Sequence, residues 1–431
     1  MGYDRRITII AELSAARRTQ ILLVYFRLFM GILTVSPLIF AAEGDWPRFR
    51  GSNGDGVVTH AKIPNSWPES GPKLVWERAI GHGYSETIVA DSRIYTMEQT
   101  GEAPDVKTWV LAFNVSDGSP IWRKEIGEGY QSDWGNGPRS TPFLDQDRLY
   151  VLGPKGDFAA LSAKDGSLIW KVQLVEELGS SVPGFGFASS PVVEGDLVLL
   201  EVGGDDGLFW AFDKQTGKRQ WSILKGEAGY MTPKLTDIGG VRQMISVSSD
   251  SLVGLDLEGN MLWSLPWPNQ GETIATPIFF PPDRLFISSV KADLSAMARI
   301  EKDGSGFSAQ EIWRNRNLKN HFSASVSKDG FIYGFDNATF KCISAEDGAV
   351  QWARRGYGKG GLILADGKLI ILSDRGLLVM IEASPVSFKE LGRHQALKGR
   401  SWTSPVLAGS HLYLRNHEKM VCYNLTHEDQ P

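Results

Sequence analysis

The sequence predicts an all-β fold: an eight-bladed β-propeller of four-stranded antiparallel blades, its ring closed by pairing of the N- and C-terminal strands. Three observations predict it. A strand-turn-strand unit ending in tryptophan recurs along the chain. A second hairpin, often opening on Ser/Thr-Pro, lies between successive copies. The last copy lacks the closing strand, and the first copy consists of a closing strand alone.

The fullest copy is residues 208–221, where Trp210, Ala211, Phe212 and Asp213 read as a strand, Thr216-Gly217 as a turn, and a second strand ends at Trp221. Its relatives close at Trp76, Trp122, Trp170, Trp263, Trp313 (a drifted copy) and Trp352, and the last, which has lost the Gly turn, ends in Phe388. The spacing of roughly 36–51 residues is that of a propeller or array. The intervening hairpins open at Thr141-Pro142, Ser190-Pro191, Thr232-Pro233, Thr276-Pro277 and Ser404-Pro405, so each period holds four strands, one blade. The eight closing residues count eight blades. Pairing 421–425 with 73–76 joins the two half-blades and removes the exposed edges of an open sheet. Each tryptophan is expected to cover a small residue of the preceding strand and to wedge against the neighbouring blade. The turn glycines supply the positive φ that tight hairpins need.

Composition narrows the function. The chain has 431 residues and a net charge of −5, which leaves no basic field for a nucleic-acid backbone. No nucleic-acid partner is expected. The two cysteines, Cys342 and Cys422, stand at the same small-residue position of non-adjacent blades, so buried free thiols are expected. Metal-site and nucleophile motifs of the usual spacings are absent, and none of the seven histidines falls in an HExxH pattern.

The amino terminus reads as an address. Arg5, Arg6, Arg17 and Arg18 precede an apolar stretch from 21 to 42 that ends in Ala41-Ala42. Residues 1–42 are assigned as a signal peptide or an uncleaved signal anchor, 43–72 as an N-terminal extension, and 73–431 as the propeller. A periplasmic or secreted location follows, with membrane contact only through an uncleaved leader and a monomer as the expected state. The extension is expected to lie across the outer or lower face of the ring, with Arg48 and Arg50 acting as a surface tether.

The pattern Ala211-x-Asp213-x-x-Thr216-Gly217-x-x-x-Trp221 resembles the repeat of the PQQ-like β-propeller family, and the resemblance covers essentially everything after residue 45. The segment 45–57 with 63–67 is similar to the leader of an exported planctomycete-type subgroup. The family includes BamB-like assembly scaffolds and quinoprotein dehydrogenases, so the resemblance implies a fold rather than one activity. The reading adopted is an exported, non-catalytic scaffold that binds a protein partner or a small, carbohydrate-like ligand, with no cofactor. The alternative is a quinoprotein oxidoreductase acting on sugars or alcohols with PQQ and Ca²⁺. No adjacent cysteine pair and no convincing Asp base support the second.

In a propeller, the connections from the outermost strand of one blade to the innermost strand of the next converge on one face. The candidate funnel residues are therefore Tyr84, Trp134, Asn136, Arg139, Tyr230, His321, Tyr357, Arg400 and Trp402. Aromatic rings mixed with Arg, His and Asn suit a planar, sugar-like or peptide ligand. His82, Asn320, Phe322 and Lys359 are secondary candidates. Phe185 and Phe187 read more simply as packing residues.

Overall fold

The computed structural model describes residues 44–269, 272–304 and 306–426. The leader assignment at 1–42 lies outside the described residues. The rest forms eight four-stranded antiparallel sheets, each running from an innermost to an outermost strand. We number the blades I to VII by their innermost strands, Ile88–Ala90, Phe143–Asp145, Val192–Glu194, Lys234–Ile238, Ile278–Phe280, Val326–Lys328 and Gly361–Ala365. Blade VIII is built from both ends of the chain. Val406–Ala408, His411–Arg415 and Lys419–Asn424 are completed by Lys73–Ala79, with Trp76 opposite Cys422. The ring therefore closes where the two half-blades predicted it would.

The tryptophan of one blade docks on the turn of the next. Trp76, Trp122, Trp170 and Trp221 lie over Gly118, Gly166, Gly217 and Gly259, where an added Cβ would stand 2.7 or 2.8 Å from a ring carbon. Each indole N–H then donates to a carbonyl of that turn: Val115, Ala163, Lys214 and Leu257, at 2.8–3.1 Å. Trp313 and Trp352 repeat the bond to Ala345 and Ser384. The turn glycine thus does two jobs: it accepts a positive φ (71° at Gly217) and it leaves room for the ring.

Two copies depart from this rule. Trp263 donates instead to the Gln243 side chain at 2.8 Å. The reason is the long hairpin of blade V, Leu294–Asp303 with Gly306–Asn315, which carries its turn past the docking position. In blade VII the expected closing residue Phe388 lies before the outermost strand, Glu390–Gln395, and packs on Trp352 and Tyr357. Gly392 faces Met380 instead, and Trp67 from the extension packs against that glycine. Trp67 shares a core cluster with Met380 of blade VII and Tyr423 of blade VIII.

The Ser/Thr-Pro motifs form an inner hydrogen-bond chain. Glu86 N–H donates to Thr141 Oγ1, Thr141 N–H to Ser190 Oγ, and Ser190 N–H to Thr232 Oγ1, each at 2.9–3.0 Å. Blade is stapled to blade around the axis. The cysteines are free and buried, as expected, and burial pushes both thiols up to about 12.

The extension is not a surface tether. It enters the axial channel from the lower face, where the turns joining first to second and third to fourth strands lie. There it covers the free edges of innermost strands. Trp46 bridges Val89 of blade I, Leu144 N–H of blade II donates to the Pro47 carbonyl, and Val57–Val58 pairs in parallel with blade VII. Arg50 is 3 % exposed. Its guanidinium donates to the carbonyls of Ala324 and Ser325 in blade VI, while its backbone N–H donates to the Glu86 carboxylate in blade I. A buried donor needs partners, and Arg50 finds them on two blades that are not neighbours in the ring. Burial, the largest effect, raises the Glu86 carboxyl to about 7 against the opposing pull of Arg50.

Candidate functional site

The upper face collects the interblade connections and the turns between second and third strands. Two connections dominate one sector of it, residues 129–142 between blades I and II and 396–405 between blades VII and VIII. The first is folded around its own arginine: Arg139 donates to the carbonyls of Gly137 and Gly135 at 3.2 and 2.9 Å. The carbonyl of Trp134 in that loop accepts from Tyr84 Oη and from Arg400, both at 3.0 Å. One carbonyl thereby ties three connections together.

An aromatic platform follows from this tie. Tyr84 stacks on Trp402 with ring centroids 5.7 Å apart and planes at 24°, and Phe322 also packs on Trp402, at 5.2 Å. Arg139 lies 5.0 Å from the Tyr84 ring and Arg400 4.4 Å from the Trp402 ring, both cation–π distances. Trp134 itself is 62 % exposed, a large apolar ring left in water at the tip of its loop.

Of the nine predicted residues, the structure joins Tyr84, Trp134, Arg139, Arg400 and Trp402 into one cluster. Asn136 belongs to the same loop, its Oδ1 accepting from Ser132 N–H. His321 joins through Phe322. Burial and the nearby Lys359 lower its imidazole to about 4, and its Nδ1 has no partner. Tyr230 packs on Phe185 at 5.3 Å, in a neighbouring patch. Tyr357 does not reach the funnel. It is 6 % exposed and its hydroxyl donates to Glu390 at 3.0 Å, so the ring fills the seam between blades VI and VII. Glycines on both sides of it, Gly356 and Gly358, adopt positive φ and turn the side chain outward. Phe187 is core, and Asn320 is a buried structural amide bonded to Phe335 and Ser325.

Sequence reasoning missed the second-to-third-strand turn of blade VIII, Asn416-His417-Glu418. His417 stands edge-on to Tyr84 at 4.5 Å, and its Nδ1 is 3.3 Å from His82 Nδ1. Burial comes first in lowering its imidazole to about 4, followed by Arg415, His82, Arg400 and Arg139. Arg415 is 1 % exposed and donates to Ser85 O, Met97 O, Gly81 O, Gly83 O and Thr96 Oγ1, clamping blade VIII to blade I. A cleft of about 320 Å³ opens beside it, lined by His82, Asn136, Lys398, Arg400, Asn416 and His417 among others.

The family model described as outer membrane protein assembly factor BamB matches residues 106–354, more than half of the chain. The BamB of Shewanella oneidensis is 27 % identical over 157 residues, which cover 35 % of this chain and 36 % of that protein. The aligned part thus spans about a third of that relative's length. Among solved structures, BamB from Moraxella catarrhalis superposes with a TM-score of 0.55 at 14 % identity, over 82 % of this chain and 99 % of that one. Quinohemoprotein alcohol dehydrogenase from Comamonas testosteroni superposes with a TM-score of 0.66 at 12 % identity, over 91 % and 82 %. At such identities the likeness is one of fold.

The donor set can be tested against the PQQ and Ca²⁺ that the quinoprotein branch implies. Calcium takes six to eight oxygen ligands, mostly carboxylates and carbonyls. Among the described residues no three His, Cys, Asp or Glu side chains converge to hold a metal ion. The funnel sector presents Arg139, Lys398 and Arg400 instead. None of these three cations can ligate Ca²⁺, so the sector offers that ion no coordination set.

Proposed function

From the premise that the chain belongs to the PQQ-repeat propeller family described as outer membrane protein assembly factor BamB, we propose that it is an exported, non-catalytic scaffold that captures a protein partner at the mouth of its axial funnel. The observation that carries this reading is the tie at the Trp134 carbonyl. It fixes three connections in one geometry and leaves an exposed tryptophan beside two arginine-capped rings. Exposed Trp, Tyr and Arg on a rigid platform are the residue types that dominate protein interfaces. Preorganisation also lowers the entropy lost on binding. Among the described residues no helix is long and apolar enough to cross a membrane, and export rests on the leader sequence.

Site-specific photocrosslinking tests the reading. A benzophenone amino acid is placed at Trp134, and separately at Val386, which is 88 % exposed on the lower face. Irradiation in an exporting bacterial host should yield a discrete protein adduct from position 134 and none from position 386. Equal adducts from both positions, or none from either, would remove the funnel from consideration.

A further inference from the structure

The cleft beside His417 is lined by the cations Lys398 and Arg400 and by two acids, and with Arg139 and Arg415 behind the lining four cations meet two acids. Among the described residues none of the four forms an ion pair. Other cations of this acidic chain do pair: Arg123 with Glu98, Arg242 with Glu194 and Asp237, and Lys419 with Glu77. The two acids on the rim, Asp133 and Glu418, are exposed and bond to none of these cations. Two buried nitrogens, Arg415 Nε and His417 Nε2, lack any partner. Burying donors without acceptors costs free energy, and a concentration of like charge costs more. Burial first, and then the charges of Arg415, His82, Arg400 and Arg139, lower the imidazole of His417.

We infer that this cleft receives carboxylate groups of the partner protein, an acidic segment whose Asp or Glu side chains settle between Lys398, Arg400, His82 and His417. The inference rests on the scaffold reading above and names the chemistry of what is captured. Arg400 commits only one of its amines, to the Trp134 carbonyl, and keeps the rest of its fork for a carboxylate. The lining also includes Gly399, where an added Cβ would meet nothing within 4 Å, so a main chain can approach there. Asn136 adds an amide to the lining, whereas the Asn416 amide is spent on the Lys398 carbonyl. A peptide uses both kinds of group, and the volume admits one or two side chains rather than a folded surface. The exposed Trp134 ring then covers the segment from the loop side.

The probe is an end-capped ten-residue oligo-glutamate peptide, titrated calorimetrically into the full-length protein at low salt, with oligo-glutamine and polygalacturonate as parallel arms. Saturable binding of oligo-glutamate alone is expected. Lys398→Gln with Arg400→Gln should weaken it at least tenfold. Lys164→Gln with Lys218→Gln, two cations on lower-face turns, should leave it within twofold. Equal weakening by both pairs would reduce the effect to overall charge, and no saturable oligo-glutamate binding would dispose of the inference. Tighter binding of polygalacturonate would replace the protein segment by an acidic glycan. The photocrosslinking at Trp134 separates the two levels. An adduct there without oligo-glutamate binding sinks only the acidic-segment inference. Oligo-glutamate binding without an adduct sinks the protein-capture reading.

Discussion

The wedge between blades predicts a coupling that can be measured. Trp170 is 9 % exposed, packs on Phe158 at 5.0 Å and Tyr150 at 6.0 Å, and donates to the Lys214 carbonyl of blade III. Trp170→Ala should cost about 3–5 kcal/mol, the range for a large buried ring. Gly217→Ala on the facing turn carries two separate costs. A Cβ at φ 71° costs about 1–2 kcal/mol whatever surrounds it. The same Cβ would also stand 2.7 Å from Trp170 Cε3, and overpacking of that kind costs about 1–3 kcal/mol more. In the Trp170→Ala background the ring is gone and only the backbone cost remains. The double variant should therefore be more stable than the sum of the singles by about 1–3 kcal/mol. Urea unfolding of all four proteins measures this, provided the m-value is unchanged and calorimetric and van't Hoff enthalpies agree. Additivity to within about 0.5 kcal/mol would refute the steric half of the argument and leave the glycine explained by φ alone.

Two further outcomes follow from buried groups and from the donor set. Glu201 is 3 % exposed, accepts from Gly229 N–H at 2.6 Å on one oxygen and has no partner on the other. Burial raises its carboxyl to about 8, so between the unfolded carboxyl value and pH 8 the folded protein holds a proton that the unfolded chain has released. Stability should be greatest at the acid end of that window and fall as pH rises, by up to about 1.4 kcal/mol per pH unit. Glu201→Gln should flatten the fall in urea midpoint between pH 5 and 8, leaving below pH 7 the smaller slope of Glu86; parallel lines would show that Glu201 is ionised in the fold. Incubation of the purified protein with PQQ and Ca²⁺ should give no dye-linked oxidation of sugars or alcohols. Saturable uptake with turnover would put the quinoprotein reading in place of the scaffold.

The architecture was legible because the repeat is a packing unit, and packing units must recur to close a ring. Trp, small residue and turn glycine are each required by the other two, so their spacing survives in the sequence. Legibility failed where something outside the repeat took over its task. Phe388 looked like a closing residue because it ends an apolar strand. The real occupant of that seam is Trp67, more than three hundred residues earlier, and only the folded chain brings them together. Arg50 looked like a surface tether because nothing in a polar segment announces an axial channel. Tyr357 stood at the right place in its connection, but two flanking glycines let it turn the wrong way. His417 and Arg415 were missed because only one of the two loop classes of the upper face was searched. The antiparallel order of a blade puts both classes there.

The seam between blades VIII and I explains why the charge gathers in that sector. Closure lies inside blade VIII, where Lys73–Ala79 pairs with Lys419–Asn424, so strands from the C-terminal end of the chain face blade I across this seam. The Trp76 wedge still operates across it on the lower side. On the upper side the clamp is Arg415, whose bonds run to four backbone carbonyls and one hydroxyl of the blade I strands and the connection leading into them. Carbonyl partners satisfy the donors of a guanidinium without cancelling its charge. An acidic partner at this position would have stabilised the seam and neutralised the cleft together, yet the nearest one, Glu98, makes its ion pair with Arg123. The residual field falls on His417, Arg400 and the open cleft beside them. Closure of the ring and attraction of an anion thus draw on the same buried arginine.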